Sequence, residues 1–163
     1  MKLNEAITAI DGIVPDAKNG LPEEVFLLAS RLTPMVNVDL LLKDAAGRTL
    51  LSWRDDEFAG QGWHVPGGII RYKESFEERI QKTAAKELGQ EIKFDPVPIA
   101  IEQFFCEHVS RGHFISFLFK CRFSGYFSPE NKRLTETSRG YLKWHAACPV
   151  NMINIHEAYR KYI

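Results

Sequence analysis

Residues 63–92 have the sequence WHVPGGIIRYKESFEERIQKTAAKELGQEI, which predicts a short apolar strand, a turn at residues 66–68 and a charged helix over about residues 74–88. The two adjacent glycines permit positive φ and close approach of the backbone to a ligand, and a free carbonyl there can bind a hard cation. Apolar residues recur every four positions along the helix, which predicts a buried stripe of Phe76, Ile80, Ala84 and Leu88. The remaining helix surface is then available for chemistry.

Carboxylates are frequent on this helix, and oxygen ligands are the ones that magnesium prefers. Glu77, Glu78 and Glu91 fit the ordinary pattern of a solvated helix face. Glu87 differs because it is next to the apolar stripe, where a carboxylate is partly buried and needs a partner. Glu87 is therefore the carboxylate of this helix that stands apart from a solvated face.

Length and composition favour one domain of an ordinary globular protein. The chain has 163 residues, with 21 basic and 21 acidic side chains, so overall charge favours neither a nucleic-acid partner nor a membrane partner. Residues 1–20 lack the long apolar segment of a signal peptide, and no apolar run approaches membrane-spanning length. We expect a cytoplasmic protein with an N-terminal extension at 1–20 and one main domain at 21–163.

The rest of the chain alternates strand-like and helix-like segments. Helices are predicted at residues 4–10, from Pro22 to Leu32 and over 151–163. Strands 35–43 and 49–54 are predicted to form a hairpin, and segments 98–109 and 113–127 form a second one around Ser110-Arg111-Gly112. This order predicts an α/β (α+β) fold, an α/β/α sandwich around a mixed sheet.

The spacing of Gly68, Glu74, Glu87 and Gly89, with Lys82 in the place of an arginine, resembles the signature of the Nudix hydrolase family. That signature is Gly, five residues, Glu, seven residues, Arg-Glu, an aliphatic, any residue, Glu-Glu, any residue, Gly. Thr83 and Lys86 stand where the family usually has two metal-binding glutamates. Lys86 in place of an acid changes the local charge by two, which disfavours a cluster of two or three metals and leaves room for one.

One branch of the family has a similarly depleted signature, and residues 21–144 are similar to it: the GDP-mannose mannosyl hydrolases. The similarity includes LTPMVNVDLLL, GRTLLSWR, GQGWHVPGG and AAKELG. The resemblance implies a homodimer with one Mg²⁺, or Mn²⁺ as the alternative, held by the Gly67 carbonyl, Glu87 and a side chain of a late loop. It also implies substrate contacts from Asp39 and Arg54, and water attack on the anomeric carbon of a nucleoside diphosphate sugar.

This sequence departs from the pattern of that branch at two functional positions. Ile69 replaces the arginine that the family places against the diphosphate, and the family's late-loop catalytic histidine falls at Arg139. No general base therefore carries over. Glu136 is the candidate for the late-loop ligand or base, with Ser138 as the alternative.

Several positions keep a structural alternative. Arg54 could clamp a diphosphate or pair with Asp55 or Asp56. Asp39, in an apolar strand, could bind substrate or accept a structural hydrogen bond. Glu74 is expected to orient the turn before the helix rather than to catalyse.

The predicted function is a magnesium-dependent Nudix hydrolase that cleaves a nucleoside diphosphate sugar at the glycosyl carbon. The alternatives are a Nudix pyrophosphohydrolase that cuts the diphosphate, and a Nudix-fold module that binds nucleotide sugars without catalysis.

Overall fold

The computed structural model describes residues 2–163, which form two β-sheets and a set of short helices. The α-helices are α1 (Leu3–Ile13), α2 (Glu23–Leu32) and α3 (Phe76–Leu88), and 3-10 helices occupy Ala17–Asn19 and Asn154–Tyr162. The strands are β1 (Met35–Leu42), β2 (Thr49–Asp56), β3 (Gly60–His64), β4 (Gly67–Ile69), β5 (Lys93–Phe94), β6 (Ala100–Phe105), β7 (His113–Arg122) and β8 (Leu142–His145).

The larger sheet is mixed and has five strands. Its order is β4-β1-β7-β5, with β6 also paired to β7. β1 and β7 are parallel, whereas β4, β5 and β6 run antiparallel to their partners. The smaller sheet has the antiparallel order β3-β2-β8.

The first predicted hairpin is wrong. β1 and β2 meet only at an isolated bridge between Lys43 and Thr49, and each strand then joins a different sheet. Eight residues of β1 pair with β7 instead, a parallel partner far away in sequence. The second predicted hairpin is confirmed, because β6 and β7 pair antiparallel from Ala100 with Leu118 to Phe105 with His113.

Helix α3 begins with a capping box, in which the Ser75 and Glu78 side chains accept from each other's backbone amides. It ends at Gly89, whose φ of 75° is in the left-handed region that favours glycine. The stripe of Ile80, Ala84 and Leu88 is buried as predicted. Phe76 was predicted to be buried with this stripe, but its side chain is 41% exposed. It lies in the first turn of the helix, where one side of its ring contacts Phe117 and Phe119.

The C-terminal segment closes the fold as a 3-10 helix rather than an α-helix. It buries His156 and Tyr159 against Phe104 of β6, in a core that also contains Trp53 and Trp63. A second core joins the α3 stripe to β1 and β7. The prediction of an α+β fold around a mixed sheet is therefore confirmed. Among residues 2–163, every helix is too short or too polar to cross a bilayer.

Candidate active site

A cleft of about 550 Å³ lies where α3 meets the ends of strands from both sheets. β1 contributes Asp39, β2 contributes Arg54, β3 contributes His64, β4 contributes Gly67 and α3 contributes Glu87. A volume of this size falls within the range of small-molecule sites in proteins. The cleft is therefore the candidate active site.

Strand register directs the backbone of Gly67 away from β1. Gly67 is opposite Asp39 in the β1–β4 pair, while the amides of Leu40 and Ile70 donate across the ladder to Pro66 and Val36. Opposite residues in an antiparallel pair alternate between hydrogen-bonded and non-hydrogen-bonded, which places Gly67 in a non-hydrogen-bonded pair. Its amide and carbonyl are thus free for groups outside the ladder.

The double glycine is explained by close packing rather than by backbone conformation. Neither Gly67 nor Gly68 has a positive φ, so that part of the expectation is wrong. A Cβ at position 67 would overlap the Asp39 carboxylate, and one at position 68 would lie 2.5 Å from Oγ1 of Thr83. The two glycines therefore let β4 lie directly against β1 and α3.

Glu87 is brought to this turn by α3. The residue is half-buried, yet its Oε2 is fully buried and has no hydrogen-bond partner, while the Gly67 amide donates to the carboxylate. Burial raises the pKa of Glu87 to about 7; the Lys86 ammonium opposes this rise and the Asp39 carboxylate adds to it. The ionised form of such a carboxylate would be stabilised by a bound cation.

The residues present fit one hard cation whose coordination is completed by a ligand. Within residues 2–163, no three His, Cys, Asp or Glu side chains gather into a group that could hold a metal. Mg²⁺ is often held by one or two carboxylates, substrate phosphates and water, and it does not require a cage made only of protein. The Glu87 carboxylate and the Gly67 carbonyl would supply the protein oxygens.

Unpartnered polar atoms concentrate in the cleft. Native proteins leave few buried polar atoms without a hydrogen bond. Among residues 2–163, six such side-chain atoms occur, and all except His145 Nε2 belong to residues that line the cleft: Asn37 Oδ1, Trp53 Nε1, Thr83 Oγ1, Glu87 Oε2 and Arg111 Nε. This pattern fits a site built for a polar ligand.

The cleft is strongly cationic. Its only acidic lining residues are Asp39 and Glu87, whereas its basic lining residues are Arg54, Arg71, Arg79, Lys82, Lys86, Arg111 and Arg139. Three of these are occupied: Arg54 is 2.6 Å from Asp56, and Arg79 and Lys82 are 2.7 and 2.9 Å from Glu74. The other four form no ion pair within the described chain, and such a cluster attracts phosphate.

Asp39 is 2% exposed and accepts two hydrogen bonds at Oδ2, from Ser116 Oγ and from Tyr159 Oη at 2.7 Å. Burial raises the pKa of Asp39 to about 6, against the effect of both hydrogen bonds. The structural hydrogen bonds that were the sequence-based alternative for Asp39 are thus present. Asp39 nevertheless lines the cleft as well.

Glu74 anchors the turn ahead of α3. Its carboxylate accepts from the Arg71 amide, Arg79 and Lys82. Burial opposes ionisation, but these hydrogen bonds outweigh it and lower the pKa of Glu74 to about 2. The signature residues Gly68, Glu74 and Lys82 therefore hold the loop that carries Gly67, and Gly89 ends the helix that carries Glu87.

The late loop does not bring Glu136 to the cleft. Glu136 is exposed, and its carboxylate pairs at 2.7 Å with Lys143 on the surface. Ser138 bonds Thr135 within the same loop. Arg139 and Gly140 are the loop residues that line the cleft. The structure therefore separates Glu136 from Gly67 and Glu87.

The lining residues that were not assigned to the site from the sequence include His64, Arg111 and His156. Arg111 lies in the β6–β7 turn with a φ of 57°, and its guanidinium is 4.4 Å from the centre of the Phe58 ring. Only the unusual turn conformation marks it, and sequence periodicity does not encode that. His64 and His156 flank Val65 from segments far apart in the chain.

Comparison with known proteins identifies the family. The family model described as NUDIX domain matches residues 33–162. The chain belongs to the Nudix family. The resemblance inferred from the signature is thereby confirmed, and the coarse class of Nudix hydrolase is supported.

Solved structures of low sequence identity have the same fold. A MutT Nudix hydrolase from Burkholderia pseudomallei is 19% identical with a TM-score of 0.62, over 80% of this chain and 98% of that one. A possible asymmetric diadenosine tetraphosphate hydrolase from Jonesia denitrificans is 22% identical with a TM-score of 0.59, over 80% and 92%. At this identity the likeness establishes the fold, and it confirms the predicted Nudix-type sandwich.

One relative in sequence is the low-salt glycan biosynthesis protein Agl8 of Haloferax volcanii. It is 26% identical over 104 residues, which cover 61% of this chain and 66% of the relative's own length. The substrate, the metal, the homodimer and the cytoplasmic location of the present protein remain predictions.

Proposed function

We propose that this Nudix protein hydrolyses a nucleoside diphosphate sugar, GDP-mannose-like in class, at the glycosyl carbon with one divalent cation. The observation that carries the proposal is Glu87, whose unpartnered buried oxygen faces a cleft with two acids and seven basic side chains. A diphosphate with one bound cation complements that arrangement in charge and in oxygen ligands.

The residues of the cleft would bind the cation and the diphosphate separately. Glu87 and the Gly67 carbonyl would hold Mg²⁺ or Mn²⁺, which when bound supplies charge neutralisation to the leaving diphosphate. Arg54, Arg111 and Arg139 would bind the remaining phosphate charge. These groups are in place before substrate arrives, which is the condition for electrostatic stabilisation of a leaving group.

Attack at carbon is supported by the shortage of carboxylates. Glu87 is the only glutamate of α3 that lines the cleft, and the neighbouring Lys86 and Thr83 line it as well. Attack on phosphorus by a metal-activated nucleophile commonly uses a site that holds two metals. One carboxylate beside an ammonium suits a cation on the leaving group better than a multi-metal site.

The sugar as substrate class is supported by the resemblance of residues 21–144 to GDP-mannose mannosyl hydrolases. The similarity to a protein of glycan biosynthesis points in the same direction. Asp39, with Oδ2 fixed by Ser116 and Tyr159, would present a carboxylate of defined orientation to substrate hydroxyls.

The test is a panel of nucleoside diphosphate sugars incubated with Mg²⁺ and followed by phosphorus NMR, which reports the substrate and the broken bond together. We expect a nucleoside diphosphate as the phosphorus-containing product, and no product after chelation of the metal. Release of a nucleoside monophosphate and a sugar phosphate would identify a pyrophosphohydrolase instead. Ligand-induced stabilisation without turnover would identify a binding module.

A further inference from the structure

His64 is the last residue of β3 and shares a cleft face with the candidate diphosphate-binding arginine. It pairs with Ser52 of β2, while Gly62 pairs with Arg54. Side chains two residues apart on a strand point to the same face, so His64, Ser52 and Arg54 lie on one face, and all three line the cleft. The imidazole therefore faces the cleft that is proposed to hold the substrate.

The hydrogen bonds of His64 define its tautomer. Nδ1 lies 2.9 Å from the Val65 carbonyl oxygen, which can only accept, so Nδ1 carries the hydrogen. The lone pair is then on Nε2. Nε2 forms no hydrogen bond with any residue from 2 to 163. Since it is not one of the fully buried side-chain atoms that lack a partner, it is open to solvent in the cleft.

The other histidine of the cleft does not offer such a lone pair. His156 Nδ1 accepts from the Val65 amide at 3.1 Å, so its neutral ring carries the hydrogen on Nε2 and cannot accept a proton there. Asp39 Oδ2 accepts from Ser116 and Tyr159, and the Asp39 carboxylate is assigned to substrate hydroxyls, while Glu87 is assigned to the cation. His64 is therefore the histidine of the cleft with a nitrogen free to accept a proton.

The surroundings of His64 keep the ring neutral. Burial, followed by the Arg54 and Arg139 charges, lowers the pKa of His64 to about 4, against the opposing effects of the Val65 carbonyl and Asp56. The ring centres of His64 and His156 are 5.9 Å apart. The pKa of His156 is also lowered, mainly by burial. A bound diphosphate would offset the arginine charges and make the imidazole more basic while substrate is present.

We propose that His64 is the general base of the reaction, in place of the histidine missing from the late loop. This assignment rests on the proposed function. Nε2 takes a proton from water as the water oxygen bonds to the anomeric carbon. The bond from that carbon to the diphosphate oxygen breaks, and its electron pair leaves with the nucleoside diphosphate. The proton on the imidazole then passes to solvent, so the reaction yields free sugar, nucleoside diphosphate and one proton.

The experiment compares full-length wild type, His64→Gln and His64→Ala with GDP-mannose and Mg²⁺, with and without added imidazole. His108→Ala is the matched control, because that histidine is exposed and does not line the cleft. Removal of a general base costs about 10²–10⁴-fold. We therefore expect kcat to fall at least about 100-fold in both His64 variants, with KM within about threefold of wild type.

Imidazole in solution should restore part of the rate to His64→Ala and none to wild type or His108→Ala. Near-normal kcat in a folded His64→Gln variant, or a large loss without imidazole rescue in His64→Ala, would overturn the base assignment and leave the proposed function intact. A wild type that releases no nucleoside diphosphate under these conditions would overturn the proposed function, and the base assignment with it.

Discussion

Substituting Glu87 by glutamine should make the metal-free protein more stable and the enzyme much less active. The carboxylate is held where no group of the described residues donates a hydrogen bond to its buried Oε2. Glutamine has nearly the same volume without the charge. The substitution therefore removes the cation ligand and, at the same time, the cost of ionising a buried acid.

The size of the effect follows from the pKa. Burial raises the pKa of Glu87 from the ordinary 4.5 to about 7, so the folded state binds more protons than the unfolded state between these values. Wild-type stability must then fall as the pH rises through this interval, and the loss is complete above it. At about 1.4 kcal/mol per pKa unit, the difference between 4.5 and about 7 corresponds to a loss of at most about 3.5 kcal/mol, or about 7–14 °C in Tm for a chain of this size.

The assay is thermal unfolding of wild type and Glu87→Gln at pH 4.5 and pH 8, in chelator and in excess Mg²⁺. In chelator we expect equal stability at pH 4.5 and a higher Tm for the variant at pH 8. Magnesium should stabilise wild type and not the variant, and magnesium-dependent turnover should fall at least about 100-fold in the variant. Glu77→Gln, on the exposed face of α3, should change neither property. A lower Tm for Glu87→Gln at pH 8 in chelator, or equal stabilisation of both proteins by Mg²⁺, would refute the reasoning.

Three further substitutions test the surroundings of Glu87. Glu74→Gln should lower the free energy of unfolding by about 1.5–3 kcal/mol in denaturant titration, because Arg79 and Lys82 lose a charged acceptor, and should reduce turnover less than Glu87→Gln does. Ile69→Arg should tighten nucleoside diphosphate binding by about 1–3 kcal/mol in calorimetry, and unchanged affinity in a folded variant would contradict the alignment. Gly68→Ala should destabilise by about 1–3 kcal/mol, because its Cβ would lie 2.5 Å from Thr83 Oγ1; the double variant with Thr83→Ala should regain part of that loss, and strictly additive losses would argue against the clash.

Local pattern predicted the elements whose stability is local. The α3 stripe of Ile80, Ala84 and Leu88 was found because a four-residue period directly reports one buried helix face. Phe76 fits the same period and lies against Phe117 and Phe119 of β7, but as the first residue of the helix it stays 41% exposed. The β6–β7 hairpin was found because its partners are adjacent in sequence.

Strand pairs between segments distant in sequence could not be predicted in this way. β1 and β2 are neighbours in sequence, yet the buried parallel partner of β1 is β7, and alternation within a strand does not name its partner. The site shows the same limit. Gly67 and Glu87 were predicted as ligands within one strand-turn-helix unit and both line the cleft, whereas His64 and Arg139 reach the cleft through the β2–β3 pair and a late loop. Glu136 belongs to that loop, but its ion pair with Lys143 holds it on the surface.

The central claim is that water attacks the sugar carbon, and the position of a heavy-oxygen label tests it most directly. The reaction is run with Mg²⁺ in water enriched in the heavy isotope, and the products are analysed by mass spectrometry and NMR at early times. We predict the label on the anomeric carbon of the sugar, none in the nucleoside diphosphate, and inverted configuration in the first-formed sugar. Label in a phosphate-containing product would contradict attack at carbon and assign the reaction to the diphosphate.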